Sequence, residues 1–151
     1  MPIADDELRA LVYRTCLCLD DGNWDGYLDQ CAADFVYRIS VYSPELRKEM
    51  VWMEQDRKGM ADLFDNLANH VTRPGDFLHH ANVTLVERDG DDARVTTTFL
   101  VVYTDLDGVS RIFAAGRYND VFDISGNRPL LRAREVRLDT RDLGGGTHFP
   151  I

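Results

Sequence analysis

One carboxylate in the sequence stands where acid–base chemistry could occur. Asp120 lies in a β-rich run, 112–124, whose alternation places it on one face with apolar residues, namely Ala114, Gly116, Tyr118, Phe122 and Ile124. A carboxyl group in such surroundings can act as a general acid or base. The alternative is an ion pair with an arginine of the next strand, for which there are three candidates: Arg132, Arg134 and Arg137. Charges on inner faces are usually paired, so the sequence favours the ion pair.

Three more residues complete the candidate acid–base set. Tyr13, Tyr37 and His80 carry groups that can donate, accept or transfer a proton at a pocket. Tyrosines at such positions are more often core residues whose hydroxyl groups reach a partner or water. We therefore expect Tyr13 and Tyr37 to be structural unless the chain is an enzyme in its own right.

The sequence lacks patterns typical of metal sites and of activated nucleophiles. No two of the four histidines (His70, His79, His80 and His148) have the i, i+4 spacing of a zinc-binding helix. His79 and His80 are adjacent in a predicted strand, so they point to opposite faces. There is no Gly-x-Ser-x-Gly turn, and the glycines at 144–146 are not followed by a helix that could hold phosphate. We expect no cofactor and no metal in this chain.

The elements that must position these residues are helical in the first half of the chain and extended in the second. A helix is predicted from Asp5 or Asp6 to Gly22, followed by a short helix capped by Asn23. A strand is predicted over 35–42 and a helical pattern over 43–70, with a break between 47 and 59. Four strands follow at 78–87, 93–104, 110–124 and 130–139, separated by Asp-Gly and Ser-Gly-Asn turns.

This order predicts an α+β fold in which a curved antiparallel or mixed sheet wraps around a long helix, with two helices at the N-terminus. The 151 residues suit a single domain, 1–151, with 140–151 as a C-terminal tail. A net charge of −9 argues against nucleic acid or an anionic membrane as a partner. The three cysteines, an odd number, and the lack of a membrane span or export signal predict a cytoplasmic protein with reduced thiols.

Two features resemble the cone-shaped fold of nuclear transport factor 2 (NTF2) and the ketosteroid isomerases. They are the order of elements and the stretch Gly22-Asn23-Trp24-Asp25-Gly26-Tyr27. Matched on that stretch, Thr15 stands where the isomerases have their tyrosine, and Ile39 where they have their base. Both catalytic groups are missing, which speaks against that activity. A stand-alone dehydratase, polyketide cyclase or isomerase using Asp120, His80, Tyr13 and Tyr37 on a small hydrophobic molecule stays as the alternative.

A second, more specific resemblance is to the small (β) subunits of Rieske-type aromatic-ring-hydroxylating oxygenases. It is carried by Gly116-Arg117-Tyr118-Asn119-Asp120 and by Arg134-Glu135-Val136-Arg137-Leu138-Asp139, which match the family's last two strands. The end of the chain, from Leu138 to Ile151, is similar to β subunits of methanesulfonate monooxygenase-like systems.

This resemblance implies a structural subunit without an active site. The partner would be a catalytic α subunit that holds a Rieske [2Fe-2S] cluster and a non-haem iron, in an α3β3 assembly. The isolated chain would form dimers or trimers. The apolar end, Phe149-Pro150-Ile151, would be free to dock on a neighbouring subunit.

Overall fold

The computed structural model describes residues 2–70, 75–144 and 150–151. Three helices and six strands follow one another in the order α1 (Asp5–Asp21), α2 (Trp24–Asp29), β1 (Cys31–Ser43), β2 (Lys48–Asp56), α3 (Arg57–His70), β3 (Asp76–Asp89), β4 (Asp92–Thr104), β5 (Ser110–Asp123) and β6 (Leu130–Leu138). The predicted α+β class and the four consecutive strands in the second half of the chain are confirmed.

The six strands form one sheet in the order β2-β1-β6-β5-β4-β3. Every neighbouring pair is antiparallel except β1 and β6, which are parallel. Each pairing contains a register shift, and β-bulges of this kind bend and twist a sheet. The sheet is therefore curved, and its concave face carries the core.

The predicted helix over 43–70 is wrong in its first half, because residues 48–56 form strand β2. The chain turns after Ser43, whose hydroxyl oxygen accepts from the Leu46 N–H at 3.3 Å. The misleading signal was the spacing of Met50 and Met53, which fits a helix. In the structure these two methionines belong to a strand. Met50 is opposite Val41 and Met53 is opposite Ile39, because a bulge in β2 adds one residue between them and so places residues three apart on the same face. The change from strand to helix falls at Asp56, within the interval where a break was predicted.

The helices lie on the concave face of the sheet. Gly22, at φ +67°, ends α1 as predicted, and the Asn23 side chain caps α2 by accepting from the Gly26 N–H at 3.0 Å. Helix α1 buries one stripe, consisting of Leu8, Leu11, Val12, Thr15, Cys16 and Leu19. Strand β1 buries the four alternate residues that its pattern predicted, Phe35, Tyr37, Ile39 and Val41. In the described part of the chain, no helix is long and apolar enough to cross a membrane.

Candidate functional site

The predicted ion pair of Asp120 is present, and its partner is Arg134. The two residues face each other in register across β5 and β6. The Arg134 Nε and Nη2 groups each donate to a different carboxylate oxygen of Asp120, both at 2.9 Å. Both side chains have zero exposure. The other two candidate partners are engaged elsewhere, Arg132 with Asp34, Asp92 and Asp123, and Arg137 with Glu49.

Helix α1 completes the coordination of the guanidinium. Arg134 Nη1 donates to the Thr15 hydroxyl oxygen at 3.0 Å, and Thr15 in turn donates to the Val12 carbonyl at 2.6 Å. The Tyr118 ring lies 4.2 Å from the guanidinium carbon and stacks on Phe99. A delocalised cation over an aromatic face is attracted by the ring quadrupole. All three nitrogens of Arg134 are therefore bonded, and the group ties α1 to the sheet.

Burial and the facing charges shift the pKa values of Asp120 and Arg134. Burial raises the pKa of Asp120, and the charge and hydrogen bonds of Arg134 oppose that rise. Burial alone would lower the pKa of Arg134, but the facing Asp120 carboxylate raises it well above its ordinary value. A carboxylate held on both oxygens by one guanidinium is a strong, geometrically specific pair. Each Asp120 oxygen therefore accepts a hydrogen bond from the arginine, and neither side chain is exposed to solvent.

Of the other three candidate acid–base residues, Tyr37 lies beside the ion pair, opposite Arg134 in the register of β1 and β6, whereas Tyr13 and His80 lie at the surface. Tyr13 is 38% exposed, and its hydroxyl oxygen accepts from the Val83 N–H at 3.4 Å. His80 lies on the convex face of β3, beside a surface depression of about 380 Å3. Tyr37 is buried, and burial raises the pKa of its hydroxyl group.

The far end of the chain folds back on this same core. The Ile151 N–H donates to the Tyr37 hydroxyl oxygen at 2.8 Å, and the Tyr37 hydroxyl donates to the main-chain oxygen of Ile151 at 3.2 Å. Ile151 is 2% exposed. The expectation that Ile151 docks on a neighbouring subunit is therefore wrong, because its side chain is buried in its own chain. Phe149, His148 and most of the glycine run lie outside the described residues.

Sequence reasoning missed an acid–base pair at the end of α1. Asp20 accepts from the ring nitrogen Nδ1 of His79 at 2.6 Å, and both of its oxygens lie 3.1 Å from the His79 main-chain nitrogen. The His79 side chain is 3% exposed. The only signal in the sequence was the alternation of side chains along the strand, which places His79, and not His80, on the inner face of the sheet. Within the described ranges, no three acidic, histidine or cysteine side chains converge as a metal site would require.

Comparisons with known proteins agree with this architecture. A family model described as a SnoaL-like domain matches residues 3–128. The methanesulfonate monooxygenase hydroxylase β subunit of Methylosulfonomonas methylovora is 34% identical, over 98% of this chain and 87% of the relative. The 2-aminobenzenesulfonate 2,3-dioxygenase β subunit of an Alcaligenes species is also 34% identical, over 95% of this chain and 97% of the relative.

Among solved structures, the benzoate 1,2-dioxygenase β subunit of Burkholderia mallei superposes with a TM-score of 0.75 at 23% identity and covers 99% of both chains. This confirms the predicted NTF2-like fold. The chain thus belongs to the SnoaL-like domain family, among the β subunits of multicomponent ring-hydroxylating and sulfonate oxygenases.

Proposed function

We propose that this chain is a structural β subunit of a multicomponent Rieske oxygenase and assembles with a separate catalytic α subunit. The observation that carries the proposal is the 34% identity to two oxygenase β subunits over nearly the whole chain. The proposal assigns no catalytic role to Asp120, His80, Tyr13 or Tyr37.

The interior of the cone supports a scaffold. The carboxylate that an enzyme of this fold could use is Asp120, and the Arg134 guanidinium engages both of its oxygens. A general base needs a lone pair within reach of the proton that it takes. The same cluster joins α1, β5 and β6 through hydrogen bonds, so it suits a role in holding these three elements in a fixed arrangement.

The partner in this proposal is an α subunit that carries the Rieske [2Fe-2S] cluster and the non-haem iron, with an α3β3 stoichiometry. Alone, the chain would form a trimer or dimer. Three free cysteines among the described residues support a reducing, cytoplasmic location. We also propose that 1–151 folds as one domain, because Leu143 and Ile151 in the tail pack against the same core as α1 and β1.

The narrower assignment is to the sulfonate-processing branch of these oxygenases. Both curated relatives described above are named for sulfonate substrates. We propose that the α partner acts on a sulfonate, and that substrate choice resides in that partner.

Co-expression tests the proposal. A tagged α subunit, recognised by its Cys-x-His and Cys-x-x-His pairs, is expressed with this untagged chain and captured on the tag. We expect capture of the two chains in equal amounts and co-elution through size-exclusion chromatography. The control is co-expression of the same α subunit with the His80→Gln variant of this chain. It tests whether assembly tolerates one substitution on the convex face. An α subunit that is folded, active and free of this chain would contradict the proposal.

The alternative of a stand-alone enzyme is tested separately. If Asp120 were the acid or base of a dehydratase or cyclase, Asp120→Asn would abolish turnover in a variant that keeps its fold. The proposal predicts that the isolated wild-type chain shows no turnover that depends on Asp120.

A further inference from the structure

The hairpin of β1 and β2 carries a cluster of exposed hydrophobic side chains. All four lie within residues 42–52, and their exposed fractions range from 38% to 58%: Tyr42, Leu46, Val51 and Trp52. A single exposed hydrophobic residue is ordinary, but several on one element mark an interaction surface. We call these four residues the hairpin surface.

A cavity of about 420 Å3 lies beside the hairpin surface, between the hairpin and the start of the C-terminal tail. Tyr42, Met50 and Trp52 line it from the hairpin, and Arg141 and Asp142 line it from the tail. Tyr, Trp, Met and Arg are enriched at protein interfaces, and Trp, Tyr and Arg are the commonest hot-spot residues there. Sites for small molecules bury most of their ligand, whereas Tyr42 and Trp52 are exposed. The cavity therefore suits a side chain of a protein partner.

The charges around this cavity favour a cation. Glu45, which also lines it, pairs with Arg141 at 3.2 Å and accepts from the Ser43 hydroxyl at 3.2 Å. Asp142 is exposed, and no cation in the described ranges of the chain forms an ion pair with it. Its Oδ1 accepts from the Gly144 N–H at 2.9 Å. One uncompensated carboxylate thus stands beside two aromatic side chains, and both kinds of group attract a cation.

We propose that this cavity receives an arginine side chain of the catalytic α subunit, and that the hairpin surface is part of the interface with that subunit. The arginine stem packs on Tyr42 and Trp52, and its guanidinium pairs with Asp142. Arginine fits better than lysine, because its planar group can stack on a ring and donate to a carboxylate at the same time. The net charge of −9 also favours a basic surface on the partner. This inference rests on the proposed function, which supplies the α subunit.

A competition for the α subunit tests the cavity. Tagged α subunit is co-expressed with an excess of the wild-type chain and the Trp52→Ala variant together. Mass spectrometry then gives the ratio of the two chains in the captured complex, relative to their ratio in the soluble pool that is not captured. We expect the complex to favour the wild-type chain about thirtyfold, as for the loss of an interface hot spot. Leu106→Ala, at an 83% exposed position in the loop between β4 and β5, is the matched control and should be captured as well as wild type.

The carboxylate is tested in the same competition. Asp142→Asn should be disfavoured about two- to fivefold, as for the loss of a partly exposed ion pair, and about 0.5 M sodium chloride should reduce that difference. Asp107→Asn, which neutralises an exposed carboxylate in the loop between β4 and β5, should be captured as well as wild type. Capture of Trp52→Ala and Asp142→Asn equal to wild type would overturn the proposal. If Trp52→Ala does not fold and is missing from both pools, Asp142→Asn decides.

Hydrogen exchange locates the contact in the unmodified chain. We expect slower exchange over 41–54 and 140–142 in the captured complex than in the free chain, and no change over 105–109. Slower exchange over 41–54 that depends on the concentration of the free chain, and not on α, would identify a second copy as the occupant and overturn the proposal. Capture of the wild-type chain without slower exchange over 41–54 would overturn this inference alone. No capture of the wild-type chain would contradict the proposed function and this inference with it.

Discussion

Arg134 holds both carboxylate oxygens of Asp120 at 2.9 Å, across two adjacent strands and without exposure to solvent. The motif Gly-x-Tyr-x-Asp on β5 and the arginine that begins the closing motif on β6 therefore have a physical reason to occur together. Tyr118 supplies the ring under the guanidinium, and Asp120 supplies its counter-ion. The two motifs describe one buried cluster.

Breaking this pair on one side should destabilise the chain strongly. Arg134→Met leaves the Asp120 carboxylate buried and unpaired, which costs about 3–5 kcal/mol of unfolding free energy. The double variant Asp120→Leu with Arg134→Met should recover most of that loss, since no charge is left uncompensated. Urea denaturation measures the free energy of unfolding of the single and the double variant.

The matched control for the ion pair is on the same strand. Arg137 pairs with Glu49 at the surface, and its side chain is 33% exposed. Exposed ion pairs contribute about 0–1 kcal/mol, so Arg137→Met should have a small effect. Equal losses for Arg134→Met and Arg137→Met would show that the buried cluster has no special role.

The glycine of the β5 motif should not tolerate a side chain. A Cβ atom at Gly116 would collide with the main-chain oxygen of Arg137 on β6. Gly116→Ala should therefore cost about 1–3 kcal/mol through overpacking and a shift of the strands. Gly126→Ala, where a Cβ atom would meet nothing closer than 4.0 Å, serves as the control, and its effect should stay within about 0.5 kcal/mol. Thermal unfolding of the two variants compares them directly, and equal stability would refute the close approach.

The pKa of Asp123 should lie below its ordinary value of 3.8 and depend on one serine. The hydroxyl and the main-chain N–H of Ser125 both donate to Asp123 Oδ1, and these hydrogen bonds lower the pKa of Asp123. Ser125→Ala should raise that pKa towards 3.8. The measurement is the NMR chemical shift of the Asp123 side-chain carboxyl carbon during an acid titration. Ser110→Ala, whose hydroxyl contacts Thr104 instead, should leave the pKa of Asp123 unchanged.

The same shift sets the direction of a pH effect on stability. Because the folded pKa of Asp123 is lowered, its carboxylate stabilises the fold above pH 3.8, and that contribution is lost as the pH falls through the lowered pKa. The side chain is partly exposed, so the effect is small. Ser125→Ala should make the free energy of unfolding fall less steeply with decreasing pH on the acid side. A steeper fall would contradict the predicted direction of the effect.

The three thiols should differ in reactivity. Burial raises the pKa of Cys16 to about 11 and that of Cys31 to about 12, and it also raises the pKa of the less buried Cys18. Since the thiolate is the reactive form, Cys18 should react first with a disulfide reagent at pH 8 in the native chain. Cys18→Ser should remove the fast phase and leave two thiols that react only on unfolding. A fast phase that survives this substitution would place a reactive thiol elsewhere.

Local chemistry predicted much of this fold. Helix α1, its stop at Gly22 and the four strands of the second half follow from periodicity and turn residues, and the pairing of Asp120 follows from the cost of an unpaired inner charge. Strand β2 could not be predicted in this way, because its bulge gives Met50 and Met53 a helical spacing. The contact of Asp20 with His79 spans 59 positions and depends on how α1 docks on β3, which no local pattern encodes.

The assembly itself gives the most direct test of a structural β subunit. Native mass spectrometry of the chain co-expressed with its α subunit should show one complex that contains three copies of each. Partial dissociation of that complex in mild denaturant before the measurement should release intact αβ units and not free monomers alone. Two separate populations, with this chain never bound to α and α fully assembled by itself, would contradict the account.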